Sequence, residues 1–403
     1  MAYLPHHLKD PCMDLNTFLE AVPLAWDEWL ACALLALFLI LVIIQLAYHW
    51  YFFARIAFYR HPQREGDHRA FTGPVSVVVC ARDEYHKLKK NLPVLLQQDY
   101  PQYEVIVVDD ASGDDTDQLL RDLEKQYEHL KVISLKSSVS FLRGKKFPLS
   151  VGIRSARHER LLLTDADCRP SSSGWLRLMS SGLTKDKEIV LGFSPYEKRP
   201  GLLNALIRFD TLQVAMQYLS FALAGRPYMG VGRNLAYKKE LFYRVKGFVS
   251  HYDVISGDDD LFINQVATRE NTAVELSPAA LCVSAPKTSF AEWFRQKRRH
   301  LSTGKRYKKR HKRLLGLYQL SLLLFYPLWL GIILWLGFSM AGLIATAAFI
   351  LRLASAQLIY SKTAAKLHEN KNYVFSLIGE PMLVLIYLVT GVSLLMHETT
   401  AWK

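Results

Sequence analysis

Four stretches of this chain are apolar over roughly 20 residues or more: 30–53, 314–338, 341–360 and 375–396. Each is long enough to cross a bilayer as a helix. The first run starts too far from the N-terminus, is too long, and lacks a basic leader and a small-residue cleavage site. It therefore reads as an anchor and not as a signal peptide. Half of the 403 residues are hydrophobic, and this clustering leaves a water-soluble stretch of over 200 residues between the first run and the other three.

Charge orients these runs. Residues 295–313 hold eleven Lys/Arg and no acid, and the second apolar run begins immediately after them. Arg55, Arg60, Arg64 and Arg69 follow the first run. Basic residues flanking membrane spans mark the cytoplasmic side. The N-terminal arm carries Asp10, Asp14, Glu20, Asp27 and Glu28 against Lys9 alone. The expectation is a multi-pass plasma-membrane protein with the arm outside and the middle of the chain cytosolic. The loop bearing Lys362, Lys366 and Lys371 is then cytosolic, and the C-terminus falls outside. The net charge of +13 does not indicate nucleic acid, because the basic run abuts a membrane span and has few interleaved aromatics. Cys12, Cys32, Cys80, Cys168 and Cys282 form no metal-type spacing, so neither a disulfide framework nor a zinc site is expected.

Between residues 73 and 286 short β-branched runs alternate with segments of helical period. The runs at 75–80, 103–110, 131–135 and 160–165 are continuously apolar, as suits parallel strands buried on both faces. Leu119, Leu120, Leu123 and Tyr127 share one helical face, as do Leu88, Leu92, Leu95 and Leu96, although Pro93 should kink or delay the second helix. The expected class is an α/β fold with a mainly parallel sheet.

The strand ends carry the chemistry. The first strand runs into Arg82-Asp83-Glu84, the second into Asp109-Asp110, and the fourth into Asp165-Ala166-Asp167. Ligands of open parallel sheets bind beyond the carboxyl ends of the strands. Clustered carboxylates are costly unless a cation joins them. Mg²⁺ or Mn²⁺ shared with a phosphorylated ligand meets that need. The bland alternatives are a capping aspartate at Asp165 and an Asx turn built by Ser112 and Asp114.

These segments resemble, in order, the family 2 glycosyltransferases of the GT-A fold in their membrane-anchored, bacterial-type form. "SVVVCARDE" resembles the opening strand and nucleotide loop, "VVDDASGDDT" the base- and ribose-reading segment, and "RGKKFPLSVGI" the Gly-Lys segment. "LLLTDADC" is similar to the DxD metal motif and "GVGRNLAYKKELF" to the acceptor-side loop. "SGDDDLFIN" stands at the base motif and "QKRRH" where many members have Gln-x-x-Arg-Trp.

The resemblance implies a nucleotide-sugar donor, with UDP-sugar the expected kind, and a lipid or lipid-linked glycan acceptor. It implies that Ala81, Arg82, Glu84, Asp109, Asp110, Lys145 and Asp165 bind nucleotide and that Asp167, with Asp165, holds the metal. Asp259 is then the base for an inverting displacement, supported by Asp258. Gly232, Arg233, Asn234, Gln296, Arg299 and His300 are expected on the acceptor or gating side. His300 stands where the family has Trp, so one or a few transfers are expected in place of processive synthesis. Arg298 and Arg299 could neutralise the leaving diphosphate, Lys146 reads as a solvated neighbour, and Lys305 to Arg313 read as a stripe meeting anionic lipid.

The implied layout is an arm at 1–29, a span at 30–53, a catalytic domain at 72–290, a gating segment at 291–313, and spans at 314–338, 341–360 and 375–396. Residues 202–225 read either as an amphipathic helix on the membrane face or as a buried core helix. Arg352 and Glu380 fall inside spans and are left out of the site, a pair between helices being one reading. Two other classes share some of these features. A nucleotidyltransferase would more typically show a Gly-rich basic loop after the first strand, and "CARDE" is not one. A degenerate, non-catalytic membrane scaffold is disfavoured by the intact acids.

Overall fold

The computed structural model describes residues 26–60, 73–136, 144–369 and 373–396. The expected arm up to residue 25, Cys12, Arg64, Arg69 and Lys371 lie outside the described residues.

The continuously apolar runs are strands of one sheet. β1 (Val75–Ala81) is buried at every position, and β2 (Tyr103–Asp109), β3 (Leu130–Ser134) and β4 (Arg160–Asp165) lie parallel with it. The seven-stranded order is β3-β2-β1-β4-β7-β6-β8, with β6 at Ile189–Gly192, β7 at Leu235–Lys238 and β8 at Thr272–Glu275. β7 is antiparallel to both neighbours. β5 (Cys168–Pro170) and β9 (Cys282–Ser284) form a separate antiparallel pair. The expected α/β class with a mainly parallel sheet is borne out.

Both faces are covered because alternate side chains of each strand point to opposite faces. Val75, Val77 and Val79 meet α3 (Tyr85–Leu96) through Leu88, Leu92 and Leu95, and α6 (Trp175–Ser181) through Trp175 and Leu176. Pro93 sits inside α3 without ending it. α4 (Thr116–Gln126) packs on β3. On the other face, Val78, Ile106 and Leu163 meet α5 (Lys146–Ser155). That apolar layer continues without a break into the membrane helices, through Tyr48, Phe53, Tyr318 and Tyr360.

α1 (Trp26–Ala47) passes through a π turn at Tyr48–Phe53 into a short α2 (Ala54–Ala57). α7 (Leu202–Leu223) is buried along its length, including Asn204, Asp210 and Gln213, and packs on β8, the π turn and α2. Of its two expected readings, the core helix is the one found. Its partly exposed Thr211, Val214 and Gln217 line a cavity, which leaves no broad apolar stripe to lay on a membrane. The short helices α8 (Lys239–Arg244) and α9 (Asp260–Val266) follow, then α10 (Phe290–Thr303), α11 (Lys309–Leu336), α12 (Met340–Lys366) and α13 (Tyr373–Met396).

α1, with its extension to Ala57, and α11, α12 and α13 are long and apolar enough to cross a membrane. They expose Leu37, Ile40, Leu334 and Ile350 among other large apolar side chains. Arg352 Nη2 donates to Glu380 Oε1 at 2.9 Å and to Gln45 Oε1 at 2.8 Å. The Tyr326 and Tyr360 hydroxyls also donate to Glu380. The two charges that fall inside the long apolar helices are thus paired and tie all four helices together.

α13 makes contacts near both of its ends. Its first turn sets Phe375 edge-to-face with Phe209 of α7, with ring centroids 5.8 Å apart. Near its end, Arg298 Nη2 of α10 donates to the Ser393 carbonyl at 3.5 Å. These two points lie about 27 Å apart along a helix, so α13 packs against α7 at one end and against α10 at the other.

Candidate active site

Register brings the acids together. Ala81 pairs with Asp109 across β1–β2, and Cys80 pairs with Asp165 across β1–β4, so three strand ends finish at one level. The loops beyond are laced to each other. The Asp83 amide donates to Ser112 Oγ (2.9 Å), Gly113 N–H to Asp83 Oδ1 (2.7 Å), and Tyr85 N–H to Asp114 Oδ2 (3.1 Å). Asp83 and Ala111 both sit at φ 55°, a strained region for Ala in particular. Arg82 approaches Asp110 at 3.7 Å, and Glu84 pairs with Lys87 at 2.6 Å. Asp109 and Asp110 are distinct. Asp109 Oδ1 accepts from both the amide (3.2 Å) and the hydroxyl (2.5 Å) of Ser112, so its carboxylate closes an Asx turn. Burial pushes its pKa up despite those bonds.

Lys145 lies between acids from two parts of the chain. Its Nζ contacts Asp165 and comes within 4.0 Å of Asp258. Burial alone would lower its pKa, but these two carboxylates hold it well above the usual range. The preceding Gly144 has φ 106°, and a Cβ there would stand 2.7 Å from the Ile255 carbonyl oxygen. Lys146 is not the solvated neighbour expected. Its Nζ is buried and donates to the His251 and Val254 carbonyls at 2.5 and 2.6 Å. Residues 144–146 therefore grip the loop that leads into Asp258–Asp260.

Asp167 is the under-compensated acid. Burial and the neighbouring Asp165 raise its pKa, while Asp165, half-buried and partly desolvated, is held low by Lys145. Ligand atoms of Asp165, Asp167 and Cys168 lie within 4.8 Å of one another. The two carboxylates suit a hard divalent cation, which prefers oxygen ligands. The Cys168 thiol, held well above its ordinary pKa by burial, does not.

The three successive aspartates after Gly257 separate cleanly. Asp260 is buried and accepts from the hydroxyls of Thr303 (2.5 Å) and Tyr307 (2.7 Å). Asp258 faces Lys145. Asp259 accepts from Gly232 N–H at 2.7 Å and from Asp260 N–H at 2.7 Å, one bond per oxygen. Burial, then Asp258 and Asp260, push its pKa up to about 7. Such a carboxylate can take a proton near neutrality.

Asp165 and Asp259 line one cavity of about 870 Å³, together with Arg233, Gln296, Arg299 and His300. Gln296, Arg299 and His300 share a face of α10 by their i, i+3, i+4 spacing. Gln296 donates to the Tyr196 hydroxyl (3.2 Å), and the Arg233 guanidinium lies 4.3 Å over the Tyr196 ring. Buried Arg233 Nη1 has no hydrogen-bond partner. Arg298 instead faces α13. Gly232 contributes its amide to Asp259.

Asn234 is not brought to the cavity. It is fully buried, donating to the Phe193 and Ala280 carbonyls at 2.8 Å each and accepting from Trp175 Nε1 at 2.9 Å. Its amide is spent on the core. The sequence reasoning also missed Tyr196 and the buried pair of Lys297 with Asp210, at 2.6 Å, both of which line the cavity. Lys297 stood in plain view within the basic run, but nothing in its neighbours marks it as inward-facing.

A mainly parallel sheet with carboxylates gathered beyond its strand ends, beside a basic helix, is the architecture of the GT-A fold. Residues 76–245 match the model for glycosyl transferase family 2, and residues 164–361 match that for glycosyl transferase family group 2. The chain belongs to glycosyl transferase family 2.

A beta-monoglucosyldiacylglycerol synthase of Trichormus variabilis is 34% identical over 107 residues, 26% of this chain and 22% of that protein. A poly-beta-1,6-N-acetyl-D-glucosamine synthase of Staphylococcus epidermidis is 27% identical over 119 residues, 30% of this chain and 27% of that protein. The match thus spans about a quarter of the length of these curated relatives. A mannosyltransferase from Pyrobaculum calidifontis, solved with GDP-Man and Mn²⁺, shares the fold. Its TM-score is 0.56 at 23% identity, over 90% of this chain and 98% of that one.

Proposed function

We propose that this protein is a membrane-bound, inverting glycosyltransferase that moves a sugar from a nucleoside diphosphate, UDP in the first instance, to a hydroxyl of a lipid or lipid-linked glycan. The observation that carries this is the shared cavity: Asp165 from the end of β4 and Asp259 from the start of α9 line the same space. The relatives' names, a glycolipid synthase and a polysaccharide synthase, agree with such an acceptor.

In this reading Asp167 and Asp165 hold Mg²⁺ or Mn²⁺. When bound, the ion offsets charge on the departing diphosphate. Lys145 adds a fixed positive charge next to Asp165. Arg299 and Arg233 face the cavity, where guanidinium groups match phosphate oxygens. Asp259 accepts the proton of the acceptor hydroxyl. The acceptor oxygen bonds to the anomeric carbon as the bond to the diphosphate breaks, and its electron pair leaves with the nucleotide. A single displacement inverts that carbon. The catalytic domain lies on the cytosolic side of the plasma membrane, by the basic residues that flank the apolar helices.

A screen of UDP-sugars and GDP-mannose with lipid-extract acceptors, using protein in vesicles with Mn²⁺ or Mg²⁺, tests the reading. Transfer by the wild type that is lost in Asp167→Ala and in Asp259→Asn supports it. Undiminished turnover in either variant removes that residue from the mechanism.

A further inference from the structure

The cavity does not end at the carboxylates. It continues past Trp293 into an apolar slot, with Leu315, Leu320 and Leu323 of α11 on one wall and Val384, Leu388 and Leu395 of α13 on the other. Its whole volume, about 870 Å³, lies toward the upper end for ligand sites. Gly316 and Gly391 line opposite walls, and a Cβ at either would meet no atom within 4 Å. Neither wall therefore fills the space between them. Leu320, Leu388 and Leu395 are also exposed on the outer surface, so the slot opens sideways between the helices.

The position of the slot matters as much as its lining. α13 packs against α7 at Phe209 and against α10 at Arg298. Midway, the Tyr387 hydroxyl donates to Asp210, and Lys297 Nζ lies 5.1 Å from the Tyr387 ring centroid. The slot thus has a polar end under the catalytic domain and an apolar end that faces outward. A molecule spanning it has a water-seeking head and a hydrocarbon chain. At the polar end Asp165 and Asp259 stand beside Arg233 and Arg299; with the two guanidiniums given to the donor's diphosphate and Lys297 paired with Asp210, the Asp259 carboxylate is left to accept from an uncharged hydroxyl head.

The geometry points to this slot as the binding site for the hydrocarbon chain of a neutral lipid alcohol, which enters sideways from the bilayer and presents its hydroxyl to Asp259. The fate of that hydroxyl rests on the transferase reading above; the chain site rests on the slot.

The experiment uses the full chain in phosphatidylcholine vesicles containing a diacylglycerol with a diazirine in its acyl chain. Peptide mapping after illumination locates the adducts. Expected are adducts concentrated at residues 315–323 and 384–395, reduced roughly tenfold in Gly316→Phe and in Gly391→Phe. Gly331→Phe lies on the same helix as Gly316 and also meets open space, but outside the slot, and should change nothing. If both slot variants fail to insert, excess unlabelled diacylglycerol should displace the wild-type adducts to the same extent.

Three results would overturn the inference. They are adducts spread evenly over outward-facing residues such as Leu334 and Ile350, slot adducts that neither filling nor competition removes, and slot labelling by a diazirine polyprenyl phosphate but not by the diacylglycerol. Labelling of the slot by a protein that transfers no sugar would instead sink the transferase reading and leave the slot standing.

Discussion

The backbone amide of Gly232 donates to Asp259 Oδ2 at 2.7 Å, although the two residues come from different loops on either side of β7 and α8. This bond fixes one carboxylate oxygen while Asp260 N–H fixes the other. The carboxylate's orientation is set before any acceptor arrives, and each oxygen keeps a lone pair for a proton.

The pH dependence follows from that carboxylate. With a pKa raised to about 7, Asp259 is the ionised base only above neutrality. Transfer should therefore rise as pH increases through about 7 and level off above it. Asp259→Asn should lose turnover at every pH, and a profile flat from pH 5 to 9 in the wild type would count against Asp259. The same raised value works in the opposite sense on stability. An unfolded aspartate ionises near 4, so stability falls progressively between about pH 4 and pH 7, where the unfolded chain has released this proton and the folded protein still holds it.

Chelation should be reversible. Stripping divalent ions from the wild type should abolish transfer, and Mn²⁺ or Mg²⁺ should restore it. Asp167→Ala should need far more ion for any residual activity, measured as the ion concentration giving half-maximal rate. Equal ion dependence in variant and wild type would place the metal elsewhere.

Lys297 and Asp210 form a buried ion pair linking α10 to α7, with Tyr387 of α13 against both. Removing one partner strands a charge, at a cost of about 3–5 kcal/mol. Lys297→Met should lower the thermal unfolding midpoint sharply, and adding Asp210→Leu should recover much of the loss. Additive losses in the double variant would show that the pair is not a coupled unit.

Asn234 should behave as a core residue. Its amide satisfies two carbonyls and an indole. Asn234→Ala leaves these groups unpaired, at about 1–3 kcal/mol each before relaxation. The expected variant is less stable but retains the wild-type acceptor KM in whatever fraction stays folded. A changed KM at unchanged stability would restore Asn234 to the acceptor side.

The sheet and the acids at its edge were legible because buried parallel strands write themselves as continuous apolar runs, and their carboxyl ends are read directly from where those runs stop. The gating helix was legible in part. Gln296, Arg299 and His300 share a helical face, and spacing alone places them together. Lys146 and Lys297 were not legible. A buried lysine differs from a solvated one only by its partner, and these partners are carbonyls of a distant loop and an aspartate on another helix.

Composition, period and charge placement fixed what each segment would become, because helix, strand and membrane partition depend on short-range pattern. Which of three adjacent aspartates faces the cavity, and which helices α13 packs against, depends on contacts between residues far apart in the chain. Only the tertiary structure decides those, since it alone sets which buried polar groups find partners and which are left facing open space.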